Sequence, residues 1–213
     1  METTFTQVRS EPGMVSAAVE APVTAPRPVA AGRLCALREL QMSDAPALFA
    51  VLSTEEVPPF IMRSPTTLEA FEKFIAWAQS ESAAGRSKCY AIVPHDRDYA
   101  AGIILIRMLD EGSGVAEWGC AIGSAFWGTG VFADAAKLVL EHAFNVLSIQ
   151  RLEARASVEN GRGNGALRKI GATLEGRLRN SMLRNGKYYD QFIWSIVKAE
   201  WRQARAVCPE TIH

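Results

Sequence analysis

The chain has 213 residues, 48% hydrophobic and 22% charged, which fits one soluble domain able to bury a sizeable core. Its 23 lysines and arginines balance its 23 aspartates and glutamates, which argues against a chain-wide grip on nucleic acid or anionic lipid. No stretch approaches the roughly 18 apolar residues of a membrane span, so a cytoplasmic protein with no membrane or direct nucleic-acid partner is expected.

Residues 1–32 hold four prolines (Pro12, Pro22, Pro26, Pro28), no lysine, and Phe5 as their one aromatic. Glu2, Glu11 and Glu20 spoil a secretory leader, so this segment reads as a flexible tail. The folded unit is expected over 33–201, with a second tail at 202–213. Cys35, Cys89, Cys120 and Cys208 show no CxxC spacing, and three sit in apolar runs. They predict free thiols rather than a disulfide framework or a metal site.

Residues 34–40 (LCALREL) read as a strand, followed by a helix capped at Ser43 or Asp44, with Pro46 early in it, running to about Leu52. A loop containing Pro58 and Pro59 precedes a second helix from Ser64 or Thr66, with Leu68, Phe71, Ile75 and Ala78 at helical spacing and Gly85 ending it. CYAIVP, GIILIRML and VAEWGCAI then form an antiparallel meander. A glycine-rich loop (GSAFWGTG, 123–130) leads into a long helix, after which RLEARASV reads as a strand. NGRGNGALRKIG forms a loop and short helix closed by Gly171, and two last strands turn at Asn185-Gly186.

Charge sorts by region. Residues 33–150 carry 9 basic and 14 acidic side chains, whereas 151–190 carry 9 basic and 4 acidic. The basic block surrounds the second glycine-rich loop, where it is either an anion site or a solvated face.

Gly128 and Gly130 let backbone approach a ligand closely, and the N–H groups opening the next helix favour an anion. A phosphate or pyrophosphate is the natural guest. Gly128, Gly130 and Ala133 also fit the dinucleotide fingerprint, with Glu153 twenty residues beyond. That motif should follow its strand directly and open a series of parallel units. GSAFW intervenes here, and one short helix and a hairpin follow, so the context speaks against it.

Three runs occur in order: AEWGCAIGSAFWGTGVFADAA, RLEARASVENGRGNGALRKIGATLEGRLR and an NGKYYDQ hairpin. With this order the chain from Arg33 to about Trp201 resembles the GNAT N-acetyltransferases, in particular the RimJ/RimL-like branch. The resemblance implies an α/β fold whose mixed, mostly antiparallel sheet is flanked by helices and splays to admit acetyl-CoA. It implies that the backbone of Cys120, Ala121 and Ile122 bonds the pantetheine arm. Trp127, Gly128, Thr129, Gly130, Val131, Phe132 and Ala133 would wrap the pyrophosphate, although Phe132 stands where a small residue is usual. Asn160 would bond the arm, with a helix N-cap as its other reading. Gly163 stands where Ser or Ala is usual, and Leu167 stands in place of a tyrosine acid. Arg162, Arg168 and Lys169 would face the phosphates.

Glu117, on the strand face shared with Gly119 and Ala121, is the candidate base. A cross-strand ion pair with Arg155 is the alternative. Tyr188 and Tyr189 are either packing residues or within reach of the site. The expected function is acetyl transfer from acetyl-CoA to a primary amine, on a protein N-terminus or a small molecule, by direct attack and without a metal. The amine would lie against Glu55, Glu56, Phe60 and Ile61 and the last hairpin. A non-catalytic acyl-CoA-binding module is the alternative, and a homodimer is common among such relatives.

Overall fold

A computed structural model describes residues 27–53, 65, 67–110 and 112–207. Most of the expected tail 1–32, the acceptor segment with Glu55, Glu56, Phe60 and Ile61, and Cys208 lie outside the described residues. Among the described residues, eight strands and five α-helices follow in the order β1 (Ala30–Ala31), β2 (Cys35–Glu39), α1 (Ala45–Leu52), α2 (Leu68–Ala83), β3 (Ser87–Pro94), β4 (Gly102–Met108) and β5 (Val115–Ile122). Then come α3 (Val131–Asn145), β6 (Arg151–Ser157), α4 (Gly161–Lys169), β7 (Thr173–Arg184), β8 (Lys187–Val197) and α5 (Lys198–Val207).

One sheet runs in the order β1-β2-β3-β4-β5-β6-β8-β7. Every neighbouring pair is antiparallel except β5 and β6, which are parallel. The meander β3-β4-β5 follows its alternating pattern, and the last hairpin turns at Asn185 (φ 48°) and Gly186 (φ 74°), both left-handed as a type I′ turn requires. Helix α2 is capped by Thr67, one residue after the later of its two expected starts, the Thr67 side chain accepting from the Ala70 N–H.

Two boundaries differ from expectation. Strand β1 lies inside the expected tail and pairs with Ala36 and Leu37 of β2. Beyond residue 201 the chain continues as α5, held by Trp201, whose ring centre is 5.2 Å from that of Phe144 in α3.

Alternation along each strand sends apolar residues to two cores. Tyr90, Ile92, Ile104, Ile106, Trp118, Leu152, Trp194 and Ile196 pack with Val139, Ala143 and Phe144 of α3 on one face. Cys89, Ala91 and Ala121 pack with Leu48, Leu52, Phe71 and Ile75 of α1 and α2 on the other. Among the described residues no helix is long and apolar enough to cross a membrane.

Candidate active site

Strands β5 and β6 pair only through Val115–Glu117 against Arg151–Glu153. Beyond Glu117, β5 stays bonded to β4 and β6 to β8, so a gap opens between them. Antiparallel strands direct the backbone groups of successive residues to opposite sides. The Gly123 N–H donates to Ala101 O at 2.9 Å, which sets this phase for β5. Its even-numbered residues therefore face the gap and its odd-numbered ones face β4. By the same logic the Val158 N–H, bonded to Asp190 O at 3.0 Å, turns the backbone of Arg155 and Ser157 toward the gap.

This phase narrows the expectation for Cys120, Ala121 and Ile122, because Ala121 does not turn its backbone to the gap. Cys120 turns both its N–H and its C=O into the gap. Ala121 spends its groups on β4, whereas Ile122 turns its N–H into the gap and its carbonyl already accepts from Trp127 Nε1 at 3.2 Å. The Cys120 thiol is pushed up to about 12, chiefly by burial and further by nearby Cys35. It is a neutral packing group at neutral pH.

The loop after β5 ends in a turn set by two left-handed glycines, Gly128 (φ 77°) and Gly130 (φ 91°). A Cβ at Gly130 would lie 3.0 Å from the Leu34 side chain, whereas one at Gly128 would meet nothing within 4 Å. Thr129 Oγ1 donates to Phe126 O at 2.7 Å and accepts from the Val131 N–H at 3.4 Å. The N–H groups of Phe132 and Ala133, in the first turn of the fifteen-residue α3, keep no protein partner among the described residues. Two N–H groups without a partner and the positive end of a helix dipole favour an anion. Phe132, the departure from the usual small residue, packs its side chain against the core.

The turn is tied down by Asp134, which the sequence reading did not single out. Its carboxylate accepts from the N–H groups of Leu34 (2.7 Å), Cys35 (3.1 Å) and Arg33 (3.3 Å). Burial would raise its pKa, but these bonds outweigh burial and hold it below the usual aspartate value. A carboxylate in the first turn of a helix is a legible signal. Its partners, about a hundred residues earlier, are not.

On the other lip, Asn160 is the N-cap of α4, its Oδ1 accepting from the Gly163 N–H at 2.8 Å. A Cβ at Gly163 would fall 2.5 Å from Asn160 Nδ2, so glycine there gives the Asn160 amide its space. That Nδ2 has no protein partner among the described residues. Asn164, also missed, is buried and fully used. Its Nδ2 donates to Ser157 O (2.9 Å) and Asn160 O (2.8 Å), and its Oδ1 accepts from Trp194 Nε1 (3.0 Å). It fixes the start of α4 to the end of β6. Leu167 is buried in the core.

The basic trio divides. Arg162 lies over the Trp127 ring, 4.1 Å from its centre, whereas Arg168 lies over Trp194 at 5.8 Å. Arg162 rather than Arg168 is the cation brought to the glycine turn.

Glu117 is the last residue paired across β5 and β6, on the face away from α3. It forms the expected ion pair with Arg155 (3.7 Å) and a closer one with Arg107, its cross-strand neighbour on β4. The row Arg107, Glu117, Arg155 thus crosses the sheet where the gap begins. Tyr188 and Tyr189 line an open recess with Ser157, Val158 and Glu159, immediately before Asn160 in the chain.

The described site therefore combines a gap with free strand backbone, a glycine turn, an exposed helix N-terminus and a carboxylate at the vertex. The family model described as the acetyltransferase (GNAT) domain matches residues 33–173. The uncharacterized N-acetyltransferase YoaA of Bacillus subtilis is 30% identical over 165 residues, covering 76% of this chain and 92% of YoaA. Mycobacterium smegmatis RimJ in complex with CoA-disulfide aligns with a TM-score of 0.77 at 22% identity, over 86% of this chain and 95% of that one. The ribosomal L7/L12 alpha-N-protein acetyltransferase RimL, in complex with coenzyme A, aligns with a TM-score of 0.72 at 20% identity, over 80% and 98%. The splayed sheet, the glycine turn at the head of α3 and these likenesses place this chain in the GNAT acetyltransferase family.

Proposed function

We propose that the protein transfers an acetyl group from acetyl-CoA to a primary amine, on a protein N-terminus or a small molecule, by direct attack. The observation that carries this reading is the gap beside the glycine turn. The backbone groups of Cys120 that face the gap and the N–H groups of Phe132 and Ala133 at the head of α3, which follows β5 in the chain, suit an amide-bearing arm ending in a diphosphate. In this reading Trp127 to Ala133 receive the diphosphate, Cys120 pairs with the arm like an added strand, and Asn160 Nδ2 with Gly163 beside it bonds the arm from the α4 side. The likeness to structures holding CoA supports the same carrier.

Donors fixed before the reaction need no reorganisation as charge develops on the thioester oxygen; in this reading the Cys120 N–H serves that oxygen and its carbonyl pairs with the arm. The amine lone pair forms the new C–N bond at the carbonyl carbon, and collapse of the tetrahedral centre breaks the C–S bond and releases the thiolate. A neutral Cys120 thiol is a poor nucleophile, which favours direct attack over an acyl-enzyme. Glu117 takes the amine proton through a water, and to do so its carboxylate turns from Arg155, the looser of its two partners.

Thiol release from acetyl-CoA across a panel of primary amines tests this. Wild type should release thiol with at least one amine, and Glu117→Gln should lose about a hundredfold or more in kcat. Wild-type rates in Glu117→Gln would remove the base assignment. No turnover with any amine, peptide N-termini included, would refute the amine-acceptor reading.

A further inference from the structure

One side-chain contact bridges the two lips of the gap. Arg162, in the first turn of α4, lays its guanidinium carbon 4.1 Å from the ring centre of Trp127 on the opposite lip. Trp127 is itself fixed, because Nε1 donates to Ile122 O and the ring packs against both cores. Arg162 is exposed, and among the described residues its N–H groups have neither a hydrogen bond nor an ion pair. An exposed arginine ordinarily carries much rotamer entropy. Stacking on a fixed indole removes much of that freedom and leaves the donor edge of the guanidinium unspent.

Four other members of the basic block are differently engaged. Arg151 binds Glu153 and Glu175, Arg155 faces Glu117, Arg177 binds Asp190, and Arg168 lies over Trp194. Among the described residues Arg162 is the cation of this block that stacks on Trp127, the neighbour of Gly128 in the chain.

We infer that Arg162 closes the diphosphate site from the α4 side. It is a planar donor set opposite the first-turn N–H groups of α3, with Trp127 as the platform that pre-sets it. This rests on the reading that the Trp127–Ala133 turn receives the diphosphate. A planar guanidinium suits two phosphate oxygens at once, which an ammonium does not. Trp127 therefore acts on the phosphates through Arg162, although its own ring touches none of them.

Equilibrium binding of acetyl-CoA and of S-acetylpantetheine, which lacks the diphosphate, tests the inference. Arg162→Ala should weaken acetyl-CoA about tenfold and leave S-acetylpantetheine unchanged. Arg162→Lys should recover less than half of the lost factor. Trp127→Leu should weaken acetyl-CoA about two- to fivefold in the wild-type background and less than that in Arg162→Ala. If Trp127→Leu does not fold, Trp127→Phe keeps a ring in the same place and should give a smaller loss.

Acetyl-CoA binding by Arg162→Ala within twofold of wild type would overturn the inference. So would an equal loss for both carriers, full rescue by lysine, or multiplicative Arg162 and Trp127 effects. A wild type that holds both carriers equally tightly would instead sink the diphosphate reading itself.

Discussion

Asn164→Ala should be among the costliest single changes at the site, although Asn164 touches no ligand in the proposed reading. Its amide makes three hydrogen bonds inside a buried shell. Truncation takes the partner from Trp194 Nε1 on a side chain only 2% exposed, and an orphaned buried donor costs about 1–3 kcal/mol. The carbonyls of Ser157 and Asn160 each keep one backbone donor, from Asn160 and Asn164, so their losses are smaller, roughly 0.5 kcal/mol apiece. The sum is about 2–4 kcal/mol, which for a domain of this size lowers Tm by roughly 4–16 °C. Asn160→Ala removes only an N-cap to Gly163 and should cost about 1 kcal/mol. Urea unfolding followed by circular dichroism gives both values. An Asn164→Ala loss no larger than that of Asn160→Ala would refute the reasoning that a satisfied buried amide, rather than the cap, fixes the head of α4.

Asp134→Asn removes the charge that accepts three N–H groups and should cost about 1–3 kcal/mol at neutral pH. Because the folded carboxyl titrates below its unfolded value of 3.8, its contribution is complete above that pH and fades as pH falls through the lower folded value. The gap between wild type and variant in a pH series of unfolding midpoints should close in acid, and a constant gap would count against the ionised tie. Gly130→Ala should destabilise more than Gly128→Ala. Both force alanine into a left-handed conformation at about 1–2 kcal/mol, but only position 130 also presses on Leu34. Equal unfolding midpoints would mean that Leu34 yields freely.

Side-chain patterning made the face of each strand legible. Cys89 and Ala91 against Tyr90 and Ile92 already separate the two cores, and Asn185-Gly186 announces its own turn. The pattern says nothing of the in-plane direction of N–H and C=O, which depends on hydrogen-bond phase with a neighbour. Cys120 and Ala121 looked equivalent in sequence for that reason and differ in the fold. Strand β1 is two residues long and α5 has one large apolar anchor in Trp201, too little periodicity for either to stand out from a tail. Arg162 and Arg168 belong to the same short basic helix, and only the helical turn between them decides which one meets Trp127.

The parallel step between β5 and β6 has a further consequence. Parallel neighbours cannot be joined by a tight turn, so the chain must make a return journey over one face before re-entering the sheet. That journey is α3, and it departs from the very end of β5 where the partner strand has moved away. One topological decision therefore creates both the slot and the electropositive helix head at its mouth. Lengthening the 123–127 connection would part the two without disturbing either, much as moving a doorpost leaves the hinge intact but no longer meeting its door.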